Sequence, residues 1–490
     1  MSRSVSVAAI AQALDDAGLL ASRQGALPER IVGITDDSRA VVRGGAFVAV
    51  RGTQRDGHDF LGTVAQAGAA LALVEDASLT SLPALVVHDG RRAAAVAAAA
   101  YYGDPANFLR LIGVTGTNGK TTTVGLLRHL LDSPGARAAS IGTLGVLVGS
   151  AGDPLPGGGG LTTPGPIELQ RLLRALVDAG VRWVAMEASS HALDQGRVDG
   201  VRFAAAVFTN LTRDHLDYHK TFEAYFWAKA MLVGHLAADG VVVANADDPV
   251  WADLPDAPRT LRFGVQSADA DVRAAAVEFQ PRGSRWTLVH GDAHADVVLP
   301  LIGDFNVANA LGAAAAAIAV GLDVATAAAR LGTLPQVPGR LEILSEHPTV
   351  LRDYAHTPDA LERALRALRP FTPGRLIVMF GCGGDRDRGK RPMMAEVAHR
   401  LADAVVVTSD NPRTEDPERI LDDICVALPA GSYERIEDRR TAIASAIAMA
   451  DPVRDVVLLA GKGHETYQIR GTTSYPFDEA AIVRGLLGAE

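Results

Sequence analysis

A segment near residue 114 carries the residue types that bind the phosphates of a nucleotide. The chain reads VTGTNGKTTT from Val114 to Thr123, between a short apolar run and a helical pattern. A strand, a glycine-bearing turn and a helix in that order direct backbone N–H groups and the positive end of a helix at an anion. Lys120 can reach the β- and γ-phosphates, and Thr121 or Thr122 offers a hydroxyl to Mg²⁺. Val114 replaces a glycine of the strict pattern, so we predict a variant phosphate loop for a nucleoside triphosphate; a turn without a ligand is the alternative.

Two polar clusters follow apolar runs in the middle of the chain. Glu187 ends the run that starts at Trp183, and a carboxylate at a strand end beside a phosphate loop commonly reaches Mg²⁺ directly or through water. His215 and His219 follow the run 205–210, and at this spacing on a helix they could bind zinc, although no third ligand is obvious. The simpler interpretations are a carboxylate at a helix N-terminus for Glu187 and solvated surface histidines.

Lys229 lies in an aromatic and apolar setting, Phe-Trp-Ala-Lys-Ala-Met-Leu. A lysine in such a place usually extends its ammonium group to solvent. If the side chain is buried instead, its pKa falls, and the neutral amine can then react with CO₂ to form a carbamate. That modification would turn a cation into an anion that binds metal.

Four polar residues after position 300 could complete the nucleotide site. Asn306 and Asn309 lie three residues apart at the start of an alanine-rich helical pattern, so they would share one helix face and contact a base or phosphates. Capping of this helix by Asn306 is a simpler role that is compatible with the first. Arg340, in a Pro-Gly-Arg turn, and Asp353, at the end of a predicted strand, add a cation and a carboxylate.

The last third of the chain places charged residues after apolar runs. Arg386, Arg413 and Glu465 each follow a run that is typical of a buried strand. Because functional residues of parallel sheets gather at the carboxyl ends of strands, we expect the three side chains to converge. Two arginines and a glutamate suit a zwitterionic ligand, since arginine binds a carboxylate in bidentate fashion and glutamate binds an ammonium group. Asp416 and Pro417 resemble an N-cap and a first helical residue, so part of the polarity here is structural.

Composition limits the class of protein. A chain of 490 residues with 48% hydrophobic content is globular and long enough for two to four domains. The net charge of −10 disfavours a surface for nucleic acid or anionic membranes. The two cysteines, Cys382 and Cys425, offer no disulfide framework, which suits a reducing cytoplasm. Asp15 and Asp16 interrupt the N-terminal apolar pattern and no run is long enough to span a membrane, so we expect a cytoplasmic protein without membrane insertion.

The chain divides into three segments by pattern. Residues 1–107 show short strands separated by turns, residues 108–336 begin a second α/β pattern at the phosphate loop, and residues 337–490 alternate strands and helices. This alternation predicts βαβ units and mostly parallel sheets, hence an α/β fold. The glycine- and proline-rich stretch from Gly149 to Gly160 predicts a mobile loop.

Taken in order, these motifs closely resemble those of the Mur ligases. The resemblance runs from Asp37 to Glu465 and rests on DSR, TGTNGKTT, EASSH, DHLDYH, FNxxN, PGR, DYAH, GCGGDRD, DNPR and GKGHE. It implies three α/β domains: an N-terminal uridine-binding domain, a central ATPase domain of the P-loop type and a C-terminal Rossmann-like domain for the incoming amino acid. It further implies an ADP-forming amide ligase of peptidoglycan synthesis, with roles in cell-wall biogenesis, cell shape and cell division.

The resemblance implies roles for residues in each segment. The UDP end of the substrate would contact Ser38, Thr53, Gln54 and Arg55, and its sugar and peptide would contact Thr162, Thr163, Ser189, Gln195 and Arg197. ATP would be bound by Gly116, Thr117, Asn118, Gly119, Lys120, Thr121, Thr122, Asn309, Arg340 and Asp353. The catalytic residues would be Lys120, Glu187, His215 and Lys229. Magnesium would be held by Thr121, Glu187, His215 and Lys229, the last as N6-carboxylysine. Diaminopimelate would be bound by Arg386, Asp410, Asn411, Pro412, Arg413, Gly461 and Glu465.

The implied reaction transfers the γ-phosphate of ATP to the terminal carboxylate of a UDP-muramoyl dipeptide, after which diaminopimelate attacks the acyl phosphate. We expect closure of the C-terminal domain to exclude water, small-molecule partners only, and a monomer. The alternatives are a lysine-adding Mur ligase, a folylpolyglutamate-type ligase, a P-loop phosphotransferase or switch that makes no amide, and an inactive scaffold.

Two positions depart from the family pattern. EASSH stands where many relatives have EVSSH, which is a mild change. Leu161 precedes Thr162 where relatives can carry asparagine, so one polar contact to the substrate is in doubt there.

Overall fold

The computed structural model describes residues 3–52, 55–158 and 160–488, which form two compact units. The first unit comprises Met1–Phe263 and Gly312–Asp323, and the second comprises Gly264–Leu311 and Val324–Glu490. Strands and helices alternate through both units, which confirms the α/β class. The boundaries predicted after residues 107 and 336 stay predictions.

The N-terminal part of the first unit is built on a small sheet. Its elements are β1 (Val5–Ser6), α1 (Val7–Asp16), β2 (Leu20–Gln24), β3 (Arg30–Ile31), β4 (Ile34–Thr35), β5 (Ala46–Val48), α2 (Leu61–Gln66), β6 (Leu71–Val74), β7 (Ala84–Val87) and α3 (Gly90–Tyr102). The strand order is β2-β7-β6-β5-β4, with β4 to β7 parallel and β2 antiparallel. Helix α3 begins at the N-cap Asp89, whose carboxylate accepts from two backbone N–H groups, and ends at the left-handed Gly103. The parallel order brings the carboxyl ends of β4 and β5 to one edge.

The central part of the first unit is a larger, mainly parallel sheet. Its elements are β8 (Arg110–Thr115), α4 (Lys120–Leu131), β9 (Arg137–Gly142), β10 (Gly145–Val148), β11 (Asp153–Leu155), α5 (Pro166–Asp178), β12 (Val181–Glu187), α6 (Ser190–Asp194), β13 (Phe203–Phe208), α7 (Leu216–His219), α8 (Phe222–Ala230), β14 (Leu236–Asn245) and β15 (Arg259–Gly264). The order is β11-β10-β9-β12-β8-β13-β14-β15, and β10 and β11 run antiparallel to their neighbours. Strand β8 therefore lies between β12 and β13. The phosphate loop, Glu187 and the segment after Phe208 consequently meet at one sheet edge.

The stretch predicted as a mobile loop is partly ordered instead. Strand β11 lies within it and pairs with β10 as a hairpin. The turn between them is held by Asp132, whose carboxylate accepts from the backbone and hydroxyl of Ser150, and by Arg128, which donates to the Gly149 carbonyl. The glycines of this stretch provide the positive φ of tight turns, and Gly149 and Gly152 both adopt it. Gly159 lies outside the described residues.

The second unit contains three antiparallel strands and a six-stranded, mainly parallel sheet. Its elements are β16 (Val272–Gln280), β17 (Gly283–His290), β18 (Ala293–Leu299), α9 (Asp304–Ala319, of which residues 304–311 belong to this unit), α10 (Val324–Leu331), β19 (Glu342–Glu346), β20 (Thr349–Asp353), α11 (Pro358–Leu368), β21 (Leu376–Phe380), α12 (Lys390–Leu401), β22 (Ala404–Val407), α13 (Pro417–Cys425), β23 (Glu434–Arg435), α14 (Arg439–Ala448), β24 (Val456–Ala460), β25 (Tyr467–Arg470), β26 (Thr473–Pro476) and α15 (Glu479–Leu487). Strands β16, β17 and β18 are antiparallel neighbours. The other sheet has the order β19-β20-β24-β21-β22-β23, and β25 and β26 form a hairpin.

The parallel sheet of the second unit shows why its strands are continuous apolar runs. Every residue of β21 and of β24 is buried, because helices pack on both faces and form two hydrophobic clusters. Strands β20, β24, β21 and β22 are mutually parallel, so the loops after them share one edge. Asp416 and Pro417 are the N-cap and first residue of α13, which confirms that prediction.

Candidate active site

The phosphate loop connects β8 to α4, as the sequence predicts. Lys120 is the first residue of α4, and its Nζ donates to the carbonyl oxygens of Gly116 at 2.9 Å and Thr117 at 2.8 Å. The segment after β13 fixes the loop: the N–H of Thr117 donates to the carbonyl of Asn210 at 2.7 Å, and that of Asn118 donates to Asn210 Oδ1 at 3.0 Å. The loop is thus held from a neighbouring strand, which the local sequence does not reveal.

Gly116 cannot carry a side chain without disrupting this loop. Its φ is +145°, and a Cβ would overlap Thr209 Oγ1. We expect Gly116→Ala to lose affinity for ADP and to lower the free energy of unfolding by about 2 kcal/mol or more, from strain and overpacking together. Gly125→Ala is the matched control, because nothing lies within 4 Å of a Cβ at this helical glycine. Calorimetric ADP titration and urea unfolding measure both effects, and equal behaviour of the two variants would contradict the assignment.

Glu187 is the last residue of β12 and is buried, so the interpretation as a carboxylate at a helix N-terminus is wrong. Its Oε1 accepts from the N–H of Thr143 at 2.8 Å, and its Oε2 accepts from Thr143 Oγ1 at 3.2 Å. A Cβ at Gly142 would overlap the carboxylate, so the adjoining backbone approaches it closely. The sequence reasoning missed Thr143, which lies far from Glu187 in the chain.

Lys229 is 1% exposed, so the interpretation as a lysine reaching solvent is wrong. Its Nζ donates to the Gly116 carbonyl at 2.7 Å and lies 4.4 Å from the centre of the Tyr225 ring. Burial lowers the pKa of Lys229 well below its usual value, the positive charge of Lys120 lowers that pKa further, and Asp214 opposes the shift. Lys120 and Lys229 therefore both donate to the Gly116 carbonyl. Burial favours the neutral form of Lys229.

The two predicted histidines occupy different environments. His215 has a φ of +53° and precedes α7 as its N-cap residue, whereas His219 is buried with Nε2 2.9 Å from Ser190 Oγ. The side chain of His215 is 46% exposed, so the loss of hydration that lowers its pKa is partial, and Asp214 opposes the shift. His191 stacks edge-on against both rings. Across residues 3–52, 55–158 and 160–488, no group of three His, Cys, Asp or Glu side chains could hold a metal ion, so the zinc interpretation gains no support.

The residues predicted to contact the sugar and peptide are brought together beside Glu187. Thr163 Oγ1 donates to the Glu187 carbonyl at 2.8 Å and lies 3.3 Å from Ser189 Oγ. Arg197 donates to the Thr163 carbonyl at 3.1 Å and to Gln195 Oε1 at 2.7 Å. Thr162 joins the group through Thr143. Burial lowers the pKa of Arg197, which marks a guanidinium partly removed from water.

The residues predicted for the UDP end lie in the N-terminal sheet. Ser38 is in the turn after β4, and Arg55 follows β5, so both occupy the edge where these parallel strands end. The Ser38 turn is closed by Asp37, which accepts from the backbone and guanidinium of Arg39. Thr53 and Gln54 lie outside the described residues, and their role stays a prediction.

The remaining residues that are predicted to bind ATP belong to the second unit, so their contact with ATP stays a prediction. Asp353 ends β20, and its carboxylate accepts from the N–H of Leu341 at 2.7 Å and of Ala355 at 2.8 Å. Burial raises the pKa of Asp353, and Arg340 opposes that shift. Asn306 lies inside α9 and donates to the Ile302 carbonyl, so the prediction that it caps the helix is wrong. Asn309 donates to Asn306 Oδ1 at 3.2 Å, which keeps the pair on one helix face.

The residues predicted for the amino acid meet at the edge formed by β21, β22 and β24. These are Arg386, Asp410, Asn411, Pro412, Arg413, Gly461 and Glu465. Arg413 has a φ of +51°, and its Nη1 donates to the Gly384 carbonyl at 2.8 Å. A Cβ at Gly383 would lie 2.9 Å from Arg413 Nη1 and 3.8 Å from Arg386 Cγ, so both arginines flank this glycine. Tyr467 lies among these charges. Burial raises the pKa of Tyr467, the negative charge of Glu465 raises it further, and Arg413 opposes the shift.

Comparison with known proteins identifies the family. Three family models match consecutive parts of the chain: the Mur ligase family catalytic domain over residues 30–108, the Mur ligase middle domain over 114–317, and the Mur ligase glutamate ligase domain over 339–463. A UDP-N-acetylmuramoyl-L-alanyl-D-glutamate–2,6-diaminopimelate ligase of Synechococcus elongatus is 46% identical over 484 residues, covering 95% of this chain and 96% of the relative. The chain belongs to the Mur ligase family.

Further relatives agree with this membership. A ligase of the same name from Geobacillus thermodenitrificans is 44% identical and covers 93% of this Mur ligase. A solved structure of a UDP-N-acetylmuramoyl-L-alanyl-D-glutamate–2,6-diaminopimelate ligase is 36% identical, with a TM-score of 0.66 over 94% of this chain and 95% of its own. A MurF ligase from Thermotoga maritima in complex with ADP, 19% identical with a TM-score of 0.66, shares the fold alone. In the part of the chain that the structure describes, no helix has both the length and the apolar content to cross a bilayer.

Proposed function

We propose that this Mur ligase joins 2,6-diaminopimelate to UDP-N-acetylmuramoyl-L-alanyl-D-glutamate with conversion of ATP to ADP and phosphate, a step of peptidoglycan precursor synthesis. The observation that carries the proposal is that Arg386 and Arg413 both lie beside Gly383, while Arg413 and Glu465 both act on Tyr467. Such a set matches an amino acid that carries an additional carboxylate and ammonium group. The names of the relatives support the same substrates.

The reaction proceeds in two steps. The terminal carboxylate of the dipeptide attacks the γ-phosphorus, the bond to the β-phosphate oxygen breaks, and ADP leaves. The amine of diaminopimelate then attacks the acyl carbon, an amide forms, and phosphate departs with loss of a proton from nitrogen. Lys120 neutralises charge that develops on the transferring phosphate. The group around Arg197, Thr163 and Ser189 orients the dipeptide for the first step.

We propose that the donor groups of Thr121, Glu187 and His215 hold magnesium. Glu187 supplies a buried carboxylate, Thr121 a buried hydroxyl, and His215 an imidazole whose lowered pKa favours the neutral form that binds metal. Lys229 as a carbamate would add a second anion, formed when its neutral amine attacks CO₂ and releases a proton. Bound Mg²⁺ would supply charge neutralisation at the phosphates. Asn309, Arg340 and Asp353 would contact the nucleotide, and Ser38, Thr53, Gln54 and Arg55 the UDP group.

A phosphate-release assay with the UDP dipeptide and a panel of amino acids tests the proposal. We expect release only when ATP, the dipeptide and diaminopimelate are all present, with mass spectrometry showing the tripeptide product. Preference for lysine would indicate a lysine-adding ligase, use of a folate substrate would indicate a folylpolyglutamate-type ligase, and release without the dipeptide would indicate a phosphotransferase or switch. The expected setting is cytoplasmic, with small-molecule partners and a monomeric enzyme.

Lys120→Ala is expected to lower turnover by about a hundredfold, because it removes a group that acts on transition-state charge. The Nζ of Lys120 already lies at the loop, within 2.9 Å of the Gly116 carbonyl. Arg182→Ala is the control, since it removes an exposed cation from the neighbouring strand β12. Steady-state rates at saturating substrates measure the effect. Full activity of Lys120→Ala would contradict the assignment of Lys120 as a group that stabilises transition-state charge.

A further inference from the structure

Lys462 is a fully buried cation within the predicted amino-acid site. Its side chain is 0% exposed, and its Nζ lies 3.0 Å from Asn411 Oδ1, 3.2 Å from Glu465 Oε2 and 3.5 Å from Asp410 Oδ1. It therefore contacts three of the residues that we place around the ligand. The sequence predicts contacts to the ligand for Gly461 and Glu465 in the run Gly461-Lys-Gly-His-Glu465, but it assigns no role to Lys462.

The contacts of Lys462 fix the orientation of its neighbours. Asn411 Oδ1 accepts from Lys462 Nζ and from the N–H of Ile469, the latter at 2.9 Å. The side-chain amide nitrogen of Asn411 therefore points away from both donors, and it donates to Glu465 Oε2 at 2.9 Å. Glu465 Oε2 thus receives two donors. Oε1 is the other oxygen, on which an incoming ammonium group would bind. Asn411 thus acts as a support for Glu465.

Lys462 also sets the charge of this cluster. Two carboxylates so close together would repel each other, and an ammonium group buried alone would be strongly unfavourable. With Lys462 between them, Asp410 and Glu465 leave a net charge of one negative unit by formal count. A single ammonium group on a ligand would neutralise that charge. The cluster is therefore matched to an amino acid that presents one ammonium group beside Glu465.

We propose that Lys462 is a positioning residue that orients Glu465 and sets the net charge of the cluster that it forms with Asp410 and Glu465 in the amino-acid site. The proposal rests on the proposed function of that site as the place where diaminopimelate binds. The lysine acts through Asn411 and the two carboxylates and does not itself contact the ligand. It therefore governs the affinity for the amino acid and leaves the nucleotide and UDP-substrate sites unchanged.

Two substitutions of Lys462 separate a charge effect from a packing effect. Lys462→Met keeps the length and removes the charge, so the KM for diaminopimelate is expected to rise by about 30-fold or more, with ADP affinity and the KM for the UDP dipeptide unchanged. Lys462→Arg keeps the charge and adds bulk, so its KM is expected to stay closer to that of the wild type. If Lys462 only fills space, the order reverses, because methionine fits the volume and arginine overpacks it. Melting temperatures of both variants record any loss of folding.

A comparison of Glu465→Gln with the double variant Lys462→Met/Glu465→Gln keeps the test decisive if Lys462→Met alone does not fold. The double variant removes one charge of each sign, which restores the formal charge of the cluster. Because Lys462 acts largely through Glu465, adding Lys462→Met to Glu465→Gln should raise the KM little further. A large further rise in KM from Glu465→Gln to the double variant, or an unchanged KM in a folded Lys462→Met, would overturn the proposal. The comparison uses whichever amino acid the wild type accepts, so rejection of diaminopimelate by the wild type defeats the proposed function without deciding the role of Lys462.

Discussion

Arg413→Ala is expected to lose the preference for diaminopimelate over lysine while it keeps its affinity for ADP and for the UDP dipeptide. The two amino acids differ by one carboxylate, so selection between them must recognise that charge. Two hydrogen bonds hold Arg413 in place: its N–H donates to the Ile469 carbonyl at 3.1 Å, and its Nη1 donates to the Gly384 carbonyl. When lysine binds, the guanidinium is left without its carboxylate, a penalty of about 2–5 kcal/mol. This corresponds to a discrimination of about 30-fold to several thousandfold.

Specificity constants for both amino acids in the wild type and the variant measure this effect. Arg440→Ala is the matched control, because it removes an exposed arginine from the same unit at the start of α14. Arg386, on the other side of Gly383, is the second candidate. A wild type that prefers lysine, or a variant that still prefers diaminopimelate, means that Arg413 is not the selecting residue.

Lys229→Ala should lower turnover by about a thousandfold. This is the upper end of the loss that is expected when one group that stabilises transition-state charge is removed. The buried amine lies against the Gly116 carbonyl, and burial lowers its pKa, so the neutral form that reacts with CO₂ is favoured. The carbamate would place a negative charge beside Lys120. Short carboxylates such as acetate should restore part of the activity by occupying the vacated volume.

The modification itself has a direct readout. Protein equilibrated with ¹³C-bicarbonate should show a carbamate carbon signal in the wild type that is absent from Lys229→Ala, and depletion of CO₂ should lower activity reversibly. Lys220→Ala is the control, since this lysine is exposed. An unmodified amine in a high-resolution map of an active, substrate-bound enzyme would refute the carbamate.

Much of the site was predictable because its residues lie directly after apolar runs. In a parallel sheet the carboxyl ends of all strands share one edge, so Glu187 at the end of β12 and Asp410 after β22 were assigned correctly to strand ends from local sequence. The phosphate loop was equally readable, since a strand, a glycine turn and Lys120 at a helix start are adjacent in the chain.

Contacts between distant segments were not predictable in this way. Thr143 binds Glu187 and Asn210 binds Asn118 only because the strand order places β9 beside β12 and β13 beside β8. The alternation of strands and helices implies a parallel sheet but leaves open which strands are neighbours. Strand order arises from the packing of the whole sheet.

Burial was the second property that only the tertiary structure decided. From the sequence, Lys229 could extend to solvent or be buried, and Lys462 was assigned no role in the run Gly461-Lys-Gly-His-Glu465. Both are buried, because elements far away in the chain cover them and supply their partners. The charge state of a lysine depends on its loss of hydration and on nearby charges. The sequence by itself therefore determined the fold class and the positions of the reactive groups, whereas the tertiary structure decided which lysines are buried and which carboxylates they orient.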